Sequence, residues 1–70
     1  MNKIKTSEVL IRFYGDCKNF WLREGEDDRQ AKELALKDLE RLKTNPYEPR
    51  GEELDAEAQG VVIETLRALV

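Results

Sequence analysis

The sequence predicts an all-α fold, a small three-helix bundle in which the first helix is central. Apolar residues recur at spacings of three and four in three segments, which is the period of one helix face. A glycine with three following acids at 25–28 and a loop with two prolines at 44–51 separate these segments. Seventy residues make one domain, residues 1–70. The predicted helices span about 7–24, 28–43 and 53–69.

Helix 1, over 7–24, contains the only Trp and the only Cys of the chain. Ser7 is its predicted N-cap, because a hydroxyl there accepts a hydrogen bond from an amide of the first turn. Gly25 is the predicted stop, since glycine readily adopts the positive φ that ends many helices. The alternative is a short strand at 8–14 in an α+β fold, because these residues are β-branched and aromatic. The helical spacing continues past Gly15, which favours the helix.

Apolar residues cover more than half of the circumference of helix 1. Its main stripe is Val9, Leu10, Phe13, Tyr14, Cys17, Phe20 and Trp21. Ile11 and Leu22 lie beyond Lys18 and widen the sector, whereas an ordinary surface helix needs a stripe only a little over 100° wide. Helix 1 is therefore sandwiched between two helices or partly covered by another chain. Residues 1–6 are interpreted as a lead-in, with Ile4 packing back as a hydrophobic staple.

Helix 2, over 28–43, follows Asp27 and Asp28, either of which can cap its first turn. Its predicted buried face is Ala31, Leu34, Ala35, Leu39 and Leu42, with Leu36 off that face. Asp38 lies at the edge of the face and is predicted to pair with a Lys or Arg of another helix. Pro46 ends the helix, and Tyr47 of the following loop is predicted to pack onto the bundle.

Helix 3, over 53–69, has Asp55 as a possible N-cap. Its predicted core stripe is Ala58, Val62, Leu66 and Leu69. Ile63 and Val70 lie far round the helix from that stripe. A short strand at 61–63 is the alternative, because three β-branched residues follow a glycine there.

The residue inventory argues against catalysis and against a metal site. The chain has no His, and its lone Cys can neither form an internal disulfide nor complete a zinc site of four such ligands. The acids at 26–28 lack the alternating spacing of an EF-hand loop. Cys17 lies within the apolar stripe and is predicted to be a core residue. We predict no enzyme, no catalytic residue, no cofactor, no metal and no small-molecule substrate.

The charge balance gives little support for nucleic-acid or membrane binding. Twelve basic and fifteen acidic residues give a net charge of −3, so electrostatic attraction to phosphates is weak. Helix 3 offers only Gln59 and Arg67 against several acids as base-reading side chains. No stretch approaches the roughly 20 apolar residues of a membrane span. The predicted location is the cytoplasm, and a small nucleic-acid-associated regulator is the alternative function.

The remaining feature is more apolar surface than a three-helix core can bury. The excess residues are Ile11 and Leu22 on helix 1, with Ile63 and Val70 on helix 3. Scattered surface hydrophobic residues are normal, but large contiguous apolar patches usually bind something. We predict an interaction module that uses these four residues to self-associate, most simply as a homodimer, or to bind a protein partner.

Overall fold

The computed structural model describes residues 2–42 and 54–69. It contains three α-helices, α1 (Lys3–Arg23), α2 (Asp28–Glu40) and α3 (Ala56–Arg67), and no strand within those two ranges. Helix α1 contacts each of the others more extensively than they contact each other. The predicted all-α three-helix bundle with a central first helix is confirmed. The alternative strands at 8–14 and 61–63 are wrong, because both segments are helical.

Helix α1 begins at Lys3 rather than at residue 7. The side chain of Asn2 accepts a hydrogen bond of 2.7 Å from the Lys5 amide and is the N-cap. Ser7 lies inside the helix, where its hydroxyl donates to the Lys3 carbonyl oxygen at 2.9 Å. The Ser7 prediction was wrong because Asn2 caps equally well and no residue between them breaks a helix.

Three other predicted helix-end residues are confirmed, although α2 ends at Glu40 rather than at residue 43 and α3 covers Ala56–Arg67 rather than 53–69. Gly25 has a φ of 99°, the left-handed conformation that glycine adopts without a steric penalty. Asp27 caps α2 by accepting from the Gln30 amide at 2.8 Å. Asp55 caps α3 by accepting from the Ala58 amide at 3.0 Å. Each carboxylate also lies at the positive end of its helix dipole.

The core is aliphatic and receives residues from all three helices and from the segment before α3. Its buried members are Leu10, Leu36, Leu39, Leu42, Leu54, Val62 and Ile63. Two of them were predicted outside the core: Leu36 is 5 % exposed and Ile63 is 9 % exposed. Conversely, Leu69 was predicted inside and is 72 % exposed. The buried side of α3 is therefore rotated from the one that apolar spacing predicts. Helix α2 buries Ala31, Ala35, Leu39 and Leu42 as predicted and adds Leu36.

A buried hydrogen bond explains the rotation of α3. Gln59 Nε2 donates to the Leu39 carbonyl oxygen at 2.9 Å, and the Gln59 side chain is 7 % exposed. Leu39 belongs to the last turn of α2, where carbonyls do not receive the regular helical hydrogen bond from an amide of the same helix. Because Gln59 must face α2, Ile63 one turn further on turns inward with it.

Contacts at the end of α2 explain the burial of Leu36. One turn further along α2, the Glu40 carboxylate pairs with the Arg67 guanidinium of α3. Helix α3 therefore covers the side of α2 that carries Leu36. The predicted loop at 44–51, including Tyr47, lies outside the described residues.

Candidate interaction surface on helix α1

The outer face of α1 carries exposed aliphatic side chains in a line. Ile4 is 75 % exposed, Ile11 57 % and Leu22 38 %. Ile4 and Leu22 lie five turns apart on the same side of the helix, and Ile11 lies about 20° away. At a rise of 1.5 Å per residue, they extend over about 27 Å of helix. We call Ile4, Ile11 and Leu22 the α1 stripe.

The structure brings together only part of the predicted interface. Ile11 and Leu22 share the exposed face of α1, and their role in an interface stays a prediction. Ile63 is a core residue, so its assignment to an exposed surface is wrong. Val70 lies outside the described residues. Ile4 was predicted to pack back on the helix and is instead exposed, although its seven-residue spacing from Ile11 already placed both on one face.

A glycine lies within the α1 stripe. Gly15 follows Ile11 by one turn, and no described atom outside its own helix backbone lies within 4 Å of an ideal Cβ at Gly15. Its φ is not positive, so no backbone strain requires glycine here. Glycine in a helix interior costs about 1 kcal/mol relative to alanine. No contact of the described residues explains why glycine occupies this position. Because Gly15 has no side chain, the outer face of α1 has a depression there.

Charged residues of opposite sign flank the α1 stripe. Counting about 100° per residue, Glu8 lies on one side of the stripe and Lys18 on the other. Glu8 is exposed and Lys18 is half-buried. The carboxylate of Asp28 at the start of α2 is close enough to Lys18 for the ammonium charge to help lower the Asp28 pKa, after the larger effect of Lys32.

The inner side of α1 carries a polar cluster around Asp38 of α2. Trp21 Nε1 donates to Asp38 Oδ2 at 3.0 Å, so the partner of Asp38 found within the described residues is an indole and not the predicted Lys or Arg. Burial raises the pKa of the Cys17 thiol to about 12, and the neighbouring Asp38 carboxylate adds to that rise. A thiol with this pKa remains protonated near neutral pH and is a poor nucleophile. The cluster therefore ties α1 to α2 and offers no activated group.

Ion pairs shift the pKa values of Lys3, Lys32 and Asp28, and burial shifts that of Tyr14. A hydrogen bond from Lys3 to Glu57, 2.9 Å long, raises the Lys3 pKa. The 2.9 Å pair of Lys32 with Asp28 raises the pKa of the lysine and lowers that of the carboxyl. Burial raises the Tyr14 pKa. These lysine–carboxylate pairs are exposed to water, where such pairs contribute little to stability.

A shallow cleft of about 440 Å³ lies between α2 and α3. Its lining residues are Arg29, Glu33, Leu36, Lys37, Glu40 and Arg67. Arg29 pairs with Glu33 at 3.5 Å, and Arg67 pairs with Glu40. Because the charges in the cleft largely pair with one another, the cleft concentrates neither sign for a ligand.

Metal-binding clusters and membrane-spanning helices are both absent from the described residues. Within 2–42 and 54–69, no group of three or more Cys, Asp and Glu side chains could hold a metal ion. No helix in the same two ranges is long and apolar enough to cross a membrane. Comparison of the chain with protein-family models, with curated proteins and with solved structures finds no match in any of the three.

Proposed function

We propose that this chain is a small interaction module that associates with protein through the α1 stripe. The observation that carries the proposal is the line of exposed aliphatic side chains at Ile4, Ile11 and Leu22. Exposed apolar side chains that line up on one face can be covered together by another molecule, which removes them from water. The unexplained depression at Gly15 lies in the same face and gives it a shape into which a side chain can pack.

The exposed area supports an interaction of moderate strength. The exposed fractions of the three side chains amount to roughly one and a half to two complete side chains. Burying an aliphatic side chain contributes about 1.5–3 kcal/mol, so covering the α1 stripe on one molecule contributes about 2.5–5 kcal/mol. Association costs about 4–15 kcal/mol in lost motional freedom. Stable binding therefore needs a comparable apolar contribution from the other molecule.

The proposal uses α1 and no longer includes Ile63. Helix α3 does expose Val61 (59 %) and Leu69 (72 %), but neither belongs to the α1 stripe. No observation favours the alternative, a nucleic-acid-associated regulator. Of its candidate base-reading side chains on α3, Gln59 is bonded to the Leu39 carbonyl oxygen and Arg67 to Glu40.

Site-specific photo-crosslinking tests the proposal. A benzophenone amino acid replaces Ile11 in one variant and Asp16 in a matched control, in cells that naturally make the protein. Asp16 is also exposed on α1 but lies about 140° around the helix from Ile11. We expect a covalent protein adduct from position 11 and none from position 16. Equal yields at both positions, or no adduct at position 11 in a folded variant, would contradict the proposal.

A further inference from the structure

We infer that the protein covering the α1 stripe is a second copy of this chain, packed as an antiparallel α1–α1 pair. This inference rests on the proposed function and adds the identity of the partner and the register of the contact. In such a pair a two-fold axis passes beside the midpoint of the contact. Each residue then lies level with the residue equally far beyond that midpoint on the other copy.

The residues of the α1 stripe and Gly15 are arranged symmetrically along the helix about one position. Position 13 is midway between Ile4 and Leu22, the two ends of the α1 stripe. It is also midway between Ile11 and Gly15, the protruding side chain and the depression. A two-fold axis beside position 13 therefore matches both pairs at once, and the surface is complementary to itself.

Each match has a physical consequence for the contact. Ile4 of one copy lies level with Leu22 of the other, so apolar groups meet at both ends. Ile11 lies level with Gly15 of the second copy, where the missing side chain lets the two helix backbones approach closely. Ridges of one helix pack into grooves of another in this way.

The charges of this face favour the same arrangement. Position 13 is also midway between Glu8 and Lys18, so each carboxylate lies level with an ammonium of the other copy. The two copies of Lys18 are then about 15 Å apart along the axis, which exceeds the screening length of about 8 Å at physiological salt. A parallel pair would instead place Lys18 level with Lys18, and Gly15 level with Gly15, leaving repulsion and a gap.

Charge reversal with rescue tests the register. Sedimentation equilibrium from micromolar to millimolar concentration measures dimerisation of the wild-type chain, Glu8→Lys, Lys18→Glu and the double variant. We expect each single reversal to weaken dimerisation several-fold and the double variant to restore it. Lys18 also lies near Asp28 of its own chain, so the informative result is the rescue. Because Glu8 lies about 15 Å along α1 from Lys18, beside which Asp28 lies, a lysine at position 8 does not replace Lys18 as the neighbour of Asp28 within one chain.

Gly15→Ala separates loss of contact from loss of fold. A methyl group at Gly15 meets open space in the single chain, so the variant should melt at a higher temperature in dilute solution. In the antiparallel pair the same methyl group meets Ile11 of the second copy, so dimerisation should weaken. Ile11→Glu should also abolish dimerisation while retaining the helical circular dichroism of the wild type.

The outcomes distinguish this inference from the proposed function. A chain that stays monomeric at millimolar concentration would overturn the second copy as partner, and crosslinks from position 11 to another protein would still support the proposed function. A dimer that Ile11→Glu leaves intact would overturn this inference, and the proposed function fails with it when position 11 also gives no protein adduct. A dimer that Ile11→Glu disrupts but that the double charge reversal does not restore would overturn the antiparallel register.

Discussion

Replacing Gln59 with methionine should lower the free energy of unfolding by about 0.5–1.5 kcal/mol, the net contribution of one intramolecular hydrogen bond. In the wild type, Gln59 Nε2 donates to the Leu39 carbonyl oxygen at 2.9 Å in a buried position. Methionine has a similar length and flexibility but no N–H group. The substitution therefore keeps most of the packing and removes the N–H group that donates to the carbonyl.

Thermal and urea unfolding followed by circular dichroism measure this effect. In a domain of this size, 1 kcal/mol changes the melting temperature by about 4–8 °C, so Gln59→Met should melt about 2–12 °C lower. The matched control is Glu64→Met, an exposed position of α3, which should change stability by less than about 0.5 kcal/mol. Equal melting temperatures for Gln59→Met and the wild type would refute the argument that this hydrogen bond holds α3 in its orientation.

Three further predictions concern a core residue, a turn and the thiol. Ile63→Ala should destabilise the fold by about 2–5 kcal/mol because it empties part of the core. The same change at exposed Ile11 should cost less than about 0.5 kcal/mol, and urea unfolding of the two variants compares them directly. Gly25→Ala should cost about 1–2 kcal/mol, since alanine tolerates the left-handed backbone poorly; an unchanged melting temperature would contradict this. Cys17 should react with iodoacetamide at pH 8 more slowly in the folded than in the urea-unfolded chain, because its raised pKa of about 12 keeps the thiolate scarce. The thiol also makes stability depend on pH: its contribution is complete below its ordinary pKa of 9.0 and is lost as the pH rises towards 12, because the unfolded thiol ionises first. Cys17→Ala should lack this part of the alkaline loss of stability, as measured by urea unfolding at several pH values.

The helix ends that could be predicted depend on local chemistry. Gly25, Asp27 and Asp55 act through their own backbone or through an amide three residues away, so a short stretch of sequence contains the whole signal. The start of α1 was missed because two residues that cap helices well, Asn2 and Ser7, lie only five residues apart. Spacing alone does not decide between them.

The orientation of α3 could not be predicted, because its cause lies in another helix. The bond from Gln59 to Leu39 spans 20 residues, and apolar spacing gives a glutamine no weight in the core. Ile63 was therefore placed on the surface and Leu69 in the core. Within the α1 stripe, the width of the apolar sector identified Ile11 and Leu22, since both lie in one continuous helix.

The way in which α1 contacts both other helices sets an order for folding. Only four residues connect α1 to α2, whereas the hydrogen bond from the Asp55 amide to Thr6 Oγ1, which ties α3 to α1, spans 49 residues. Closing the longer loop costs more chain entropy. We therefore expect the α1–α2 hairpin to form before the rate-limiting barrier and α3 to dock after it. Destabilising substitutions of residues that pack α1 against α2 should then slow folding. Destabilising substitutions of residues that hold α3 in place should mainly speed unfolding.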